Sequence, residues 1–281
     1  MNIANTLRQS ACALVILLGT AGHSLAANVA FWSDQASLAD FPALTAAHTV
    51  TAISSADIDA GALSAYDALV VGHVMINTAT TCTEIANFLA AGKGVVGEWN
   101  AATVLFQPAA GAFLPVPVPC NLLAGNAEGG SADFGTDVPI QITNPASPLV
   151  AGLSNPFSME GGSEFVYRLT GLGSNWNVAA TFDGAGTTYP AVLSTTQAGG
   201  CVALSPFDYF DAASSGSTAR SNMETLLNNM VAVVLAGSSV CGKAAAPVAA
   251  AVPVPTMATP WLAVLAGLLG GLVWLRRRSG V

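Results

Sequence analysis

Between Asn28 and Glu98, runs fit for buried strands alternate with segments of helical spacing, and this rhythm narrows the possible folds more than any other feature of the chain. "NVAFWSD", "HTVTAISS", "DALVVGHVM" and "GVVGEWN" are apolar or β-branched. Between them lie "QASLADFPALTAA", "DIDAGALSAY" and "TCTEIANFLAAG". In the last of these Ile85, Phe88 and Leu89 share one helical face, Thr81 or Thr83 is the expected cap, and Gly92 and Gly94 end the helix. Helices are the usual crossovers between parallel strands, so the order predicts a parallel sheet covered on both faces.

The second half reads differently. Residues 107–133, "QPAAGAFLPVPVPCNLLAGNAEGGSAD", are rich in Pro and Gly and predict a long loop, a length that usually has a reason such as covering a site. The strand-like "VPIQIT", "EFVYRLTGL", "NVAATFD", "YPAVLSTT" and "CVALSPFDYFD" follow, and the "DGAG" and "QAGG" turns predict antiparallel pairing among the last three. The stretch "DYFDAASSGS" (208–217) reads as a helix-entry loop. Ser217 to Ala236 carries Met223, Leu226, Leu227, Met230, Val233 and Val234 at helical spacing.

The ends carry a different message. Arg8 precedes the apolar "ACALVILLGTAG", and small residues at Ser24, Ala26 and Ala27 predict a signal peptide over 1–27, removed by signal peptidase. Near the other end Met257 to Leu275 form an uncharged, apolar stretch about as long as a bilayer core is thick. Arg276, Arg277 and Arg278 follow and would hold the end on the cytoplasmic side. The predicted organisation is an exported domain over 28–241, an Ala/Pro spacer over 242–253 and a tail over 254–281 with a transmembrane helix at 257–275.

Four cysteines remain after cleavage: Cys82, Cys120, Cys201 and Cys241. An even count in an exported chain predicts disulfides, and three pairings are possible. Cys82 with Cys120 and Cys201 with Cys241 keeps each bridge between neighbouring elements; buried free thiols are the alternative. No CxxC pair or Cys/His cluster is present, so neither a metal nor a cofactor is expected. Between Asn28 and Cys241 three basic residues (Lys93, Arg168, Arg220) face all sixteen acidic ones, which argues against nucleic acid as a partner.

Two resemblances add to this reading. Val254-Pro255-Thr256-Met257, followed by Trp261, a short glycine-containing helix and the terminal arginines, resembles bacterial C-terminal sorting signals of the IPTL-CTERM type, relatives of PEP-CTERM. Met stands where Leu is usual, and the Trp comes one residue late without a following Gly. The resemblance implies an exosortase-like membrane protease as partner, membrane tethering through the helix, and delivery to the envelope surface or outside.

The order of elements, with "SPLVAGL", "EFVYRLTGLGSNWNVAATFD" and "CVALSPFDYFD", resembles class I glutamine amidotransferase-like domains. This implies a three-layer, flavodoxin-like α/β fold with an antiparallel extension. In that family a cysteine nucleophile sits on a sharp turn after the strand that here is "GVVGEWN", and a His-Pro-Glu-like motif follows a late strand. Here the turn position falls on Trp99, and the late stretch is Ser205-Pro206-Phe207-Asp208, without histidine. Glutamine hydrolysis is therefore not expected.

Open α/β sheets bind ligands at the carboxyl ends of their strands, where Asp34, His73, Glu98, Asn100 and Asp208 would gather. Glu98, Asp208 and His73 are the candidate catalytic groups; Asp34, Trp99 and Asn100 are candidate ligand contacts. The structural alternative has Glu98 and Asn100 capping the next helix and Asp208 fixing a turn. Trp32, Trp99, Tyr189 and Tyr209 could instead line a sugar-binding surface or belong to the core. The leading expectation is a non-catalytic binding or surface-display protein of unknown ligand. Rival expectations are a divergent secreted hydrolase and a structural component of extracellular matrix.

Overall fold

Consecutive residues of the β-branched runs bury opposite faces. In β1 (Asn28–Trp32) Val29 and Phe31 enter one apolar cluster while Ala30 and Trp32 enter another. The same split separates Val70 from Leu69 and Val71 in β3 (Ala68–Val71), and Val96 from Val95 in β4 (Gly94–Glu98). A strand buried on both faces is continuously apolar, which is the sequence signal these runs carry. With β2 (Thr49–Ala52) they form the parallel half of an eight-stranded sheet.

The computed structural model describes residues 26–74, 77–99, 101, 107–108, 120, 122, 127–133, 138–159, 165–170, 172–184, 186–214 and 218–242. Most of the expected signal peptide, the spacer from residue 243, the sorting motif, the arginines and the expected spanning segment 257–275 lie outside the described residues. Among the described residues no helix is long and apolar enough to cross a membrane.

The remaining strands are β5 (Gln107–Pro108), β6 (Ala127–Asp133), β7 (Ile140–Ile142), β8 (Phe165–Thr170), β9 (Asn177–Gly184), β10 (Thr187–Gln197) and β11 (Gly200–Ser205). The large sheet runs β2-β1-β3-β4-β11-β10-β9-β7. β11 joins β4 in parallel, whereas β10 and β9 continue antiparallel, as the two turn signals predicted, and β7 adds antiparallel to β9. The β10–β11 turn holds Ala198 at φ 51° and Gly199 at φ 98°, the left-handed pair a two-residue hairpin requires. The fold is an α/β architecture with a mostly parallel, mixed sheet.

Helices close both faces. α1 (Pro42–Ala47), α2 (Ser55–Asp59) and α3 (Ala79–Ala90) lie in the first half; α4 (Tyr209–Ser214), α5 (Thr218–Ala236) and α6 (Ser238–Cys241) follow β11. α5 buries Met223, Leu226, Leu227, Met230, Val231, Val233 and Val234 against Val29, Phe31, Val70, Val96 and Ala203. Each such side chain contributes roughly 1.5–3 kcal/mol, so packing holds this helix more than propensity does. Gly94 has no side chain because Val234 lies where its Cβ would be. On the opposite face Ile58, Ile85, Phe88 and Leu89 of α2 and α3 pack on Trp32, Leu69, Val71, Val95 and Val202.

Several expectations are corrected. The first helical segment splits into a 3-10 turn, Leu38–Asp40, and α1, because Pro42 takes the first helical position and starts a new helix. The second breaks at Gly61, whose φ of 84° ends α2 before a 3-10 turn over Ala62–Ala65. α3 begins earlier than expected. Thr78 is its cap, accepting the N–H groups of Thr80 (3.0 Å) and Thr81 (3.2 Å), while Thr81 Oγ1 accepts the N–H of Thr78. The stretch read as a loop over 107–133 contains β5 and β6, which join β8 in a separate three-stranded sheet. "AEGGSAD" has too little β propensity to announce a strand. The expected helix-entry loop after Asp208 is the helix α4.

Both disulfides form in the expected pairing. Cys82 of α3 joins Cys120, and Cys201 of β11 joins Cys241 of α6.

Candidate functional site

The carboxyl ends of β3, β4 and β11 meet at one rim of the sheet. β4 ends on Glu98, whose carboxylate turns inward and accepts two main-chain N–H groups, His73 to Oε1 (2.8 Å) and Tyr209 to Oε2 (2.9 Å). One side chain thereby ties the ends of β3 and β4 to the start of α4. Gly72 makes the approach possible, since a Cβ there would stand 2.8 Å from Glu98 Oε1. Glu98 is only 4% exposed. Burial first, and then the charge of Asp208, push its carboxyl well above the usual carboxylate range; the two N–H donors oppose that rise.

Trp99 follows directly. Its φ of 38° is left-handed, a conformation that costs a bulky residue on the order of 1–3 kcal/mol. Its N–H is shared between the carbonyls of Ser205 and Phe207, each at 3.1 Å, so the end of β11 holds the turn in place. The indole is buried and lies 3.9 Å from the His73 imidazole, centroid to centroid, at a 35° tilt. Phe210 meets the same imidazole edge-on at 5.8 Å.

Asp208 closes the group from the side of β11. Its Oδ1 accepts the N–H groups of Phe210 (3.0 Å) and Asp211 (3.2 Å), capping α4. The same oxygen lies 3.4 Å from His73 Nδ1, near enough for charge attraction but not aligned as a hydrogen bond. Desolvation, then Asp208, raise the neighbouring Asp211 carboxyl above its ordinary range, against the pull of His73.

Of the sequence-derived candidates, His73, Glu98, Trp99 and Asp208 therefore converge. Asp34 is exposed and reaches the group through its backbone N–H, which donates to the His73 carbonyl (3.0 Å). Asn100 lies outside the described residues. The Glu98 carboxylate meets the start of α4 through the Tyr209 N–H, and nearly all of the segment that follows Trp99 lies outside the described residues. Trp32 and Tyr209 are fully buried and Tyr189 packs against the core, so these three do not form a sugar-binding surface. Sequence reasoning missed Phe210 and Asp211; the one available signal was the acidic and aromatic "DYFD".

Chemically, the group offers carboxyl groups, of which Glu98 holds its proton to higher pH than usual, an imidazole and two aromatic faces, and a folded-over indole fills the turn. Among the described residues no set of three His, Cys, Asp or Glu side chains is arranged to hold a metal ion. Among the described residues, His73, Glu98, Trp99 and Asp208 border neither of two cavities. One of about 250 Å³ is bordered by Leu63, Asn87, Phe88 and Lys93, and one of about 330 Å³ by Pro139, Phe157 and Asn222.

No protein-family model matches the sequence, and no curated protein matches it. Solved structures do share its shape. The chain is similar to a protein described as ThuA-like from Bacteroides uniformis ATCC 8492, with a TM-score of 0.55 and 14% identity, over 78% of this chain and 98% of that one. It is similar to a cytoplasmic protein from Salmonella typhimurium LT2, at 0.50 and 13%, over 74% and 99%. It is also similar to part of a carbohydrate deacetylase, at 0.51 and 16%, over 74% of this chain and 33% of that one. At such identities the likeness is one of fold.

Proposed function

We propose that this chain is an exported, envelope-delivered binding or display protein with a glutamine amidotransferase-like fold and no catalysis of that family's kind. The observation that carries the reading is Trp99: an indole at left-handed φ after β4, stacked on His73 where the family keeps its reactive thiol. The similarity in fold to the ThuA-like protein supports the amidotransferase-like assignment. Two intramolecular disulfides support an oxidising compartment. Sorting by an exosortase-like protease rests on the tail sequence, from Val254 to Arg278.

A second reading, a divergent hydrolase, is favoured by one specific observation. His73, Glu98 and Asp208 do meet at the rim, and Glu98 has the raised carboxyl that suits a general acid. One assay separates the two. Purified protein is incubated with glutamine and with nitrophenyl esters and glycosides between pH 5 and 9. The binding reading expects no turnover above buffer for the wild type; turnover abolished by both His73→Ala and Glu98→Gln would replace it with the hydrolase. Mass spectrometry of protein from envelope and medium tests delivery. Loss of the first 26 or 27 residues and of the apolar tail is expected, and an intact tail would leave a permanent anchor instead.

A further inference from the structure

The two edges of the eight-stranded sheet are finished differently. Edge strands expose unpaired N–H and C=O groups and are templates for another strand unless something blocks them. At the β7 edge Ile140 exchanges both backbone bonds with Phe157 (2.7 and 3.1 Å). The Asn155 side chain takes both groups of Ile142 (2.9 and 3.2 Å). That edge is covered.

The β2 edge is open among the described residues. β2 pairs with β1 alone, and its parallel register turns alternate residues inward. Thr49 N bonds Ala27 O (3.0 Å) and Ile53 N bonds Phe31 O (2.9 Å), so Val50 and Ala52 direct their N–H and C=O groups away from the sheet. "TVTA" contains no lysine, proline or bulge to discourage pairing, and Thr49, Thr51 and Ala52 are exposed. Charge points to the partner. Residues 41–56 carry no charged side chain in a chain with sixteen acids. The acids bracketing that strip, Asp40 and Asp57, are tied into capping boxes with Ser37 and Ser54. An acidic molecule meeting its own copy is repelled where like charges face each other, and this strip presents none.

We propose that β2 is the pairing edge for a second copy of this chain: two β2 strands lie antiparallel about a two-fold axis and continue the sheet from one copy to the next. The proposal is independent of what the rim site does.

The test is sedimentation of the purified protein over rising concentration, with amide exchange on the same samples. A reversible doubling of mass is expected, with exchange at Val50 and Ala52 slowing as the dimer fills. Ala52→Pro removes an outward N–H, and Thr51→Lys sets like charges across the pair; each is expected to weaken association at least tenfold. Gln141→Lys, on the β7 edge, is expected to leave it unchanged. Thr51→Lys keeps the β1 ladder intact and decides the matter if the proline variant does not fold. A wild type that stays monomeric throughout overturns the proposal, as does a dimer that Thr51→Lys leaves intact.

Discussion

Trp99 holds a backbone conformation that glycine adopts freely and tryptophan does not, and its indole packs on His73 in return. Two opposed effects can therefore be separated by substitution. Removing a largely buried Trp side chain costs about 3–5 kcal/mol, and Trp99→Ala is expected to show that loss in chemical denaturation. Trp99→Gly removes the same ring but also the left-handed strain, so it is expected to be more stable than Trp99→Ala by about 1 kcal/mol. In ordinary helix and strand interiors the order is the reverse, which makes the sign of the difference the informative result.

Glu98 yields a pH dependence at the same scale. Its folded carboxyl holds a proton to higher pH than the unfolded chain does, against an ordinary value of 4.5. Its contribution to stability is therefore full below that value and is lost as pH rises through the folded one. Glu98→Gln cannot titrate, but its amide nitrogen cannot accept an N–H either, so one of the two main-chain donors loses its acceptor at a cost of about 1–3 kcal/mol. Denaturation midpoints across pH 4 to 8 should show the variant less stable at the acid end, with the gap to wild type narrowing as pH rises.

At the scale of elements, the disulfides staple different things. Cys82–Cys120 spans a separation of 38 residues and Cys201–Cys241 one of 40, so chain-entropy arguments assign each roughly 2–4 kcal/mol. The second bridge joins central strand β11 to α6, where Ser194 also bonds the Cys241 carbonyl (2.6 Å). Paired replacement of Cys201 and Cys241 by alanine should lower the denaturation midpoint and free the end of α5 to amide exchange. Paired replacement of Cys82 and Cys120 should leave α5 protected. The elements themselves were legible in the sequence where side-chain pattern and burial agree. β1, β3 and β4 are buried on both faces and read as apolar runs, and α5 has its apolar stripe. β6 was not legible, because its glycines and acids hide a strand made by backbone pairing with β8. α4 was hidden too, since its cap Asp208 looks the same in sequence as a turn residue.

At the scale of the whole molecule, the rim site exists because topology brings β3, β4 and β11 side by side although long stretches of chain separate β4 from β11. Alternating strands and helices indicated which ends would share a rim, so His73, Glu98, Trp99 and Asp208 could be named from sequence. Their contacts could not, because the inward turn of Glu98 and the fold-over of Trp99 depend on Gly72 and on carbonyls at the end of β11. The account stands or falls on whether that rim is closed by the indole. The proton spectrum of the His73 ring reports this directly, since a tryptophan face 3.9 Å away shields the imidazole protons. The account predicts upfield-shifted His73 resonances in the wild type that return to ordinary positions in Trp99→Leu. Ordinary His73 shifts in the wild type, unmoved by that substitution, would mean an open rim and would contradict it.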